Sequence, residues 1–166
     1  MSMEETGVMF PNQRFHPYVV WRSEAVSIPE MKIDSSGVRF TFGNPGTAGT
    51  EEIFMFGGSA MWGWMVPDSC TIPSYVQSIF NERNNTEFTV KNYAQNGFVS
   101  TQDLIELILR IQAGDVAETV VFYNGINDIL SAYENGRTGL LIGNGRTASR
   151  IEGREEGIED QKPLLQ

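Results

Sequence analysis

Short apolar runs and helix-like segments alternate along the middle of the chain. Residues 53–56 form a continuous apolar run that predicts a buried strand, and residues 88–93 and 119–123 predict two further strands. Between the first two lies a segment at 73–83 that predicts a helix with an apolar side made of Tyr75, Val76, Ile79 and Phe80. Strands separated by helices predict a parallel sheet with right-handed crossovers, and therefore an α/β fold.

A second helix is predicted between the second and third strands. Its apolar residues recur at i, i+3, i+4 and i+7, namely Leu104, Leu107, Ile108 and Ile111. This spacing is typical of a helix that buries its apolar face. Ser100 or Thr101 is the expected N-cap, and Gly114 is the expected end. Residues 127–134 predict the start of a further helix.

The two ends of the chain differ from this alternating middle. Residues 1–50 contain short strand-like runs and turn clusters, so we expect a small β-rich N-terminal extension. The α/β core then covers residues 51–140. Residues 141–166 are dominated by charged and polar positions and glycines, which predicts a disordered tail.

Composition narrows the classes of function. The chain has 166 residues, of which 40% are hydrophobic, and this is enough for one globular domain. Its formal net charge of −9 argues against nucleic acid or an anionic membrane as the main partner, because both would be repelled. A neutral substrate fits this charge better. Cys70 is the single cysteine, so no disulfide framework and no thiolate metal site are expected.

Three polar segments each follow a predicted strand. Gly57-Gly58-Ser59 follows the first strand, the segment ending in Asn96-Gly97 follows the second, and Gly125-Ile126-Asn127-Asp128 follows the third. The carboxyl ends of parallel strands meet at one edge of a sheet, where α/β proteins bind their ligands. The sequence therefore predicts that Ser59, Gly97 and Asn127 lie at the same edge.

In type and order, and with helices between them, the three segments resemble the first three sequence blocks of the SGNH (GDSL-type) serine hydrolases, over residues 15–136. The resemblance implies a flavodoxin-like three-layer α/β/α fold, incomplete at its C-terminus, and hydrolysis of an ester without a cofactor or metal. Ser59 is the implied nucleophile. The implied oxyanion hole consists of the backbone N–H groups of Ser59 and Gly97 and the side-chain amide of Asn127. An uncharged amide and a glycine N–H can both donate to an oxyanion at close range.

Three further residues take supporting roles in this comparison. Gly58 stands where the commonest family pattern has an aspartate before the serine, and Gly-Gly-Ser is a familiar variant of that pattern. Gly125 allows a tight turn before Asn127. Asp128 completes the Gly-x-Asn-Asp pattern, and we assign it an orienting or capping role.

The general base is the open question in the sequence. The final family block, Asp-x-x-His, does not occur in these 166 residues, and the one histidine is His16, upstream of the nucleophile. We therefore expect an esterase or acylhydrolase fragment acting on a small acyl, lipid or O-acetylated carbohydrate ester. The alternative is an inactive, truncated or degenerate hydrolase that serves as a binding module. A third alternative is that a second chain or a downstream exon supplies the histidine.

Two other expectations concern the surroundings of the site. Trp62 and Trp64 either line a substrate pocket or pack in the core, and the sequence favours neither. The sheet edge at residues 119–123 is expected to be exposed and to promote self-association.

No signal peptide or membrane span is evident in the chain, so a cytoplasmic location is the default. The alternative is an extracytoplasmic one, because many family members in which a segment like Phe15-His16-Pro17-Tyr18 leads the domain carry a membrane anchor upstream.

Overall fold

The structure, a computed structural model, describes residues 11–46, 51–83, 88–141 and 143. The tail predicted for residues 141–166 lies outside this part of the chain, apart from Leu141 and Gly143. The same holds for residues 1–10 and 47–50 of the predicted N-terminal extension.

Strands and helices alternate from the middle of the chain onward. The strands in the described residues are β1 (Gln13–His16), β2 (Val20–Ser23), β3 (Val26–Ile28), β4 (Met31–Ile33), β5 (Glu51–Gly57), β6 (Phe88–Asn92) and β7 (Thr119–Tyr123). The α-helices in the same residues are α1 (Ser59–Trp62), α2 (Ile72–Glu82), α3 (Ser100–Gln112) and α4 (Ile126–Asn135). A 3₁₀ turn at Asp68–Cys70 lies between α1 and α2.

The core of the fold is a three-stranded parallel sheet with the order β6-β5-β7. The central strand β5 pairs in parallel with both neighbours, and Ile53 lies opposite Val90 on one side and Thr119 on the other. The residues of β5 from Ile53 onward are buried, as expected for a strand covered on both faces. The prediction of an α/β fold with a parallel sheet is confirmed.

Each face of the sheet carries its own apolar cluster. On one face Ile53, Met55 and Val90 pack with Met61 and Trp62 of α1, and partly buried residues of α2 complete this cluster. On the other face the cluster is aromatic and contains Phe54, Phe56 and Tyr93. The rings of Phe54 and Tyr93 meet edge to face at 4.8 Å, a favourable geometry for aromatic pairs. The two faces are therefore packed differently, one by helices and one largely by rings.

Helix α2 begins at a polar cap, one residue earlier than predicted. The Thr71 hydroxyl accepts a hydrogen bond from the Ser74 amide, and Pro73 occupies the first turn, where a missing N–H carries no cost. Tyr75 and Ile79, which the sequence placed on the apolar side, are exposed.

Helix α3 forms as predicted, but it buries a different face. Its buried side chains are polar, namely Gln102, Asp103 and Glu106. Three residues of the predicted apolar face are instead between 46% and 59% exposed, namely Leu104, Ile108 and Ile111. The N-cap is Val99, whose N–H donates to Gln102 Oε1 at 3.2 Å, and not Ser100 or Thr101. Only part of the expected face reaches the sheet, where Leu107 packs against the aromatic cluster.

The physical reason is the antiparallel hairpin β1–β2, which bonds to the polar face of α3. Arg22 donates to Glu106 at 2.6 Å in a buried ion pair, and Arg110 binds the other oxygen of the same carboxylate at 2.7 Å. The side chain of Gln102 donates to the Val19 carbonyl at 2.7 Å. Buried polar groups need such partners, so the hairpin explains how Gln102 and Glu106 can be buried.

Strand β7 and helix α4 form a broad apolar surface that no other described residue covers. In the described residues β7 has β5 as its one neighbour, so its other edge is free. Val120 and Phe122 of β7 are exposed, and only Ser131 of α4 is buried. Four apolar side chains of α4 are between 52% and 91% exposed, namely Ile126, Ile129, Leu130 and Tyr133. Exposed apolar surface next to a free strand edge favours association.

We expect the chain to self-associate through this surface. Static light scattering should give a mass above the 18.5 kDa of one chain, because contact removes apolar side chains from water. Replacing Ile129 and Leu130 by Glu should bring the mass down toward 18.5 kDa. The matched control is the double variant Tyr75→Glu and Ile79→Glu on α2, which should not change the mass. A monodisperse wild-type monomer would contradict the expectation.

Candidate functional site

Ser59 begins α1 directly after the central strand. The turn that carries it depends on two glycines packed closely against neighbouring segments. A Cβ added to Gly57 would lie 2.5 Å from the carbonyl oxygen of Tyr123, and one added to Gly58 would lie 2.5 Å from Nδ2 of Asn127. Ser59 itself is half-buried, and its hydroxyl makes no hydrogen bond within the described residues.

Asn127 links the three predicted segments. Its Nδ2 lies against Gly58, the residue before the serine, and donates to the carbonyl oxygen of Phe98 at 2.8 Å. Phe98 follows Gly97 directly, so one side-chain amide contacts the residues adjacent to both Ser59 and Gly97. The structure thus brings the three segments that carry Ser59, Gly97 and Asn127 together at the carboxyl ends of β5, β6 and β7.

Gly97 lies in a turn that the N-terminal hairpin covers. It has a positive φ of +79°, and a Cβ there would come within 3.4 Å of the Trp21 ring. The same ring meets Phe98 edge to face at 5.9 Å and donates through Nε1 to the Asn96 carbonyl at 3.0 Å. Trp21 is a site residue that sequence reasoning missed. Little in the sequence indicates that Trp21 lies at the site, because an aromatic residue in a short strand-like run is usually a packing residue.

The hairpin also holds the loop before Gly97 by polar contacts. The backbone N–H and hydroxyl of Ser23 both donate to Oε1 of Gln95 at 2.9 Å. Nε2 of Gln95 in turn donates to the Gly37 carbonyl at 2.7 Å. Gln95 is buried, so these bonds satisfy groups that water cannot reach.

The remaining supporting residues lie at the start of α4. Oδ1 of Asp128 accepts a hydrogen bond from the Ser100 amide at 3.0 Å, so this carboxylate caps the first turn of α3. Gly125 precedes α4 with a φ of +132°, a backbone conformation that favours glycine. Its carbonyl accepts the amide of Ile129 at 3.0 Å and begins the helix.

The two tryptophans after the serine occupy different environments. Trp62 is 1% exposed and lies under Arg39, whose guanidinium is 4.4 Å from the centre of its ring. Arg39 is held there by a buried ion pair with Asp68 at 2.9 Å. Trp62 is therefore a core residue, whereas Trp64 is exposed beside the site. Of the two alternatives for this pair, a place in a substrate pocket remains open for Trp64 alone.

His16 lies at the end of β1, opposite Val20. Its Nδ1 is buried without a hydrogen-bond partner. Burial and the nearby Arg22 guanidinium lower the pKa of the imidazole. No hydrogen bond joins it to Ser59 in the described part of the chain.

Asp103 is a further residue that the sequence did not single out. It is 0% exposed, and burial raises the pKa of its carboxyl group to about 7. The polar groups that it faces are the backbone amide of Gly57 and the side chain of Asn124, next to the motifs of β5 and β7. The sequence feature that could have indicated Asp103 is the spacing of residues 102, 103 and 106, which puts three polar side chains on one face of a helix.

The described residues also form a groove away from Ser59, but they contain no candidate metal site. A groove of about 440 Å³ opens between the β3–β4 hairpin and β6, and Lys32, Lys91 and Arg110 contribute to its walls. Ser59, Gly97 and Asn127 are not among the residues that line it. Within the described residues no group of three His, Cys, Asp or Glu side chains could hold a metal ion. None of the helices seen there is both long and apolar enough to cross a membrane.

Comparison of the chain with models of known protein families found no match, and comparison with curated proteins found none that passed the threshold of significance.

Replacing Asp103 by Asn should make the protein more stable at pH 8 than the wild type. The pKa of the Asp103 carboxyl group is about 7 in the folded state, above its ordinary value of 3.8. This group therefore makes its full contribution to the free energy of unfolding only below about pH 4. That stability is lost progressively as the pH rises from about 4 to about 7. The asparagine avoids this loss, and the gain at pH 8 should be roughly 2–4 kcal/mol.

Urea unfolding at pH 5 and pH 8 measures this difference between the variant and the wild type. The gain should be much smaller at pH 5, and other titrating groups such as His16 cancel in the comparison. Glu118→Gln removes the same charge from an exposed position and serves as the control. An equal gain at both pH values would contradict a titrating Asp103.

Proposed function

We propose that this chain is part of an SGNH-type serine ester hydrolase, with Ser59 as the nucleophile. The observation that carries the proposal is the contact of Asn127 with both Gly58 and Phe98, because it joins the three motifs at one sheet edge. Parallel sheets bind their ligands at this edge. The three-layer, flavodoxin-like arrangement belongs to the same proposal, and packing on both faces of the sheet supports it.

In the proposed reaction, the Ser59 hydroxyl attacks the carbonyl carbon of an ester and gives up its proton to a base. The tetrahedral intermediate carries an oxyanion, which the backbone amides of Ser59 and Gly97 and the side-chain amide of Asn127 receive. One amide hydrogen of Asn127 is used by Phe98, and the second is free for this role. Collapse breaks the bond to the leaving oxygen, which takes back the proton held by the base and departs as the alcohol. The acyl group stays on Ser59 until water hydrolyses it to the free acid and restores the serine.

The base is the part of the mechanism that the described residues do not provide. Ser59 has no hydrogen-bonded imidazole there, and the charged neighbours of His16 are Arg22, Glu106 and Arg14. In serine triads, removal of the histidine lowers turnover by on the order of 10⁴–10⁶. We therefore propose weak intrinsic hydrolysis that a supplied histidine would increase.

The substrate class that fits the site is a neutral ester with an apolar or weakly polar acyl group. Trp21 forms an apolar wall beside Gly97, and Trp64 lies exposed after the nucleophile. A net charge of −9 would repel an anionic substrate. Small acyl, lipid and O-acetylated carbohydrate esters all satisfy these conditions.

A second candidate function is binding without turnover. The observation that favours it is the absence, among the described residues, of any base that accepts a hydrogen bond from the Ser59 hydroxyl. A donor-rich site could still hold an acylated glycan or a protein segment. In that case Ser59→Ala would leave binding unchanged.

Hydrolysis of p-nitrophenyl acetate separates the two candidates. If Ser59 is the nucleophile, the wild-type chain should exceed the buffer rate, and Ser59→Ala should return it to that rate. Ser69→Ala is the matched control, because Ser69 is an exposed serine on a different turn, and it should keep the wild-type rate. Equal rates in all three proteins would reject the catalytic function.

A further inference from the structure

One buried carboxyl group connects the two turns of the candidate site. Asp103 on α3 is fully buried, and neither of its carboxylate oxygens has a hydrogen-bond partner of normal geometry in the described residues. It faces the backbone N–H of Gly57 and the side chain of Asn124. Gly57 lies two residues before Ser59, and Asn124 lies three residues before Asn127. An acceptor between these two donors can hold both turns.

We propose that Asp103 is a positioning residue: its ionised carboxylate draws the Gly57 amide and the Asn124 side chain together and sets the geometry of the Ser59 and Asn127 turns. The inference rests on the proposed function, since it assigns Asp103 to the same site. A buried acidic residue without a saturated set of partners is costly to keep, and such groups occur where a site requires them.

The surroundings of Asp103 make its charge sensitive to pH. Glu106 on the same helix and Asp128 on α4 are the charged groups that face it. Glu106 is compensated by Arg22 and Arg110, and Asp128 accepts the Ser100 amide. Burial, and to a smaller extent these two acids, favour the neutral form of Asp103. Together they outweigh the effect of the Gly57 and Asn124 donors, which favour the ionised form. The ionised form therefore predominates only above neutral pH.

Protonation changes what the carboxyl group can do. The ionised group offers two oxygens as acceptors, one for each turn. In the neutral acid one of these oxygens carries the proton, so it donates a hydrogen bond and is a poor acceptor. The Gly57 and Asn124 donors then lose part of their shared partner. The geometry of the Ser59 turn should accordingly differ on the two sides of neutral pH.

Nuclear magnetic resonance of the full chain between pH 5 and pH 9 tests this coupling. The backbone amides of Gly57 and Ser59 and the side-chain amide of Asn124 should shift together with one midpoint at about 7. Asp103→Asn should abolish this common titration. Glu118→Gln should leave it in place, since that carboxylate is exposed. Absence of a common midpoint in the wild type, or its survival in Asp103→Asn, would overturn the proposal.

His16 is the other group that can titrate near this pH range, and it must be separated from Asp103. Its pKa is lowered, so its own midpoint should fall below that of Asp103. His16→Gln should therefore preserve the titration of the Gly57 amide. Loss of that titration in His16→Gln would identify the histidine as its source and would also overturn the proposal.

The amide titration does not depend on catalysis, so it can fail separately from the proposed function. If the chain hydrolyses p-nitrophenyl acetate, kcat should rise through the same midpoint and Asp103→Asn should remove that step with KM unchanged. Titrating amides without hydrolysis would reject the esterase and keep the coupling. Hydrolysis without titrating amides would reject the positioning role alone.

Discussion

The rest of the site depends on the close approach of neighbouring segments to Gly57 and Gly58. A methyl group at either position would lie 2.5 Å from an atom of the β7 strand end or of Asn127, closer than Cβ atoms approach in real proteins. The central strand β5 can therefore end between its two neighbours without a side chain in the way. This brings the serine and the Asn127 amide together, and a larger residue would push them apart. The site exists because two consecutive positions are empty of side chains.

A second layer of polar contacts holds the N-terminal hairpin over this arrangement. The Glu106 carboxylate binds Arg22 of the hairpin and Arg110 of its own helix, and all three are largely buried. Removing one partner of a buried pair typically costs about 3–5 kcal/mol, because a charge is left uncompensated. The hairpin also positions Trp21 against the turn of Gly97. Its polar contacts thus connect the packing of α3 to the wall of the site.

Local patterns were sufficient for the parts of the fold that depend on neighbours in sequence. β7 begins and ends as predicted, and the apolar run at residues 53–56 marks the centre of β5. The buried face of α3 could not be predicted, because helical spacing assumes that apolar residues turn inward and here a distant hairpin pairs with polar ones. Trp62 and Trp64 were indistinguishable for the same reason, since only the tertiary position of Arg39 separates them. Whether a buried acid such as Asp103 acts at a site also depends on segments far apart in the chain.

The convergence of Ser59, Gly97 and Asn127 is the claim on which the proposed chemistry depends, and one contact tests it most directly. A nuclear Overhauser effect between the α protons of Gly58 and the side-chain amide protons of Asn127 should be strong, because Asn127 Nδ2 occupies the space beside Gly58. The same amide should be protected from exchange by its bond to the Phe98 carbonyl. Absence of this effect in a folded chain would show that the third strand end does not reach the serine, and it would contradict the site.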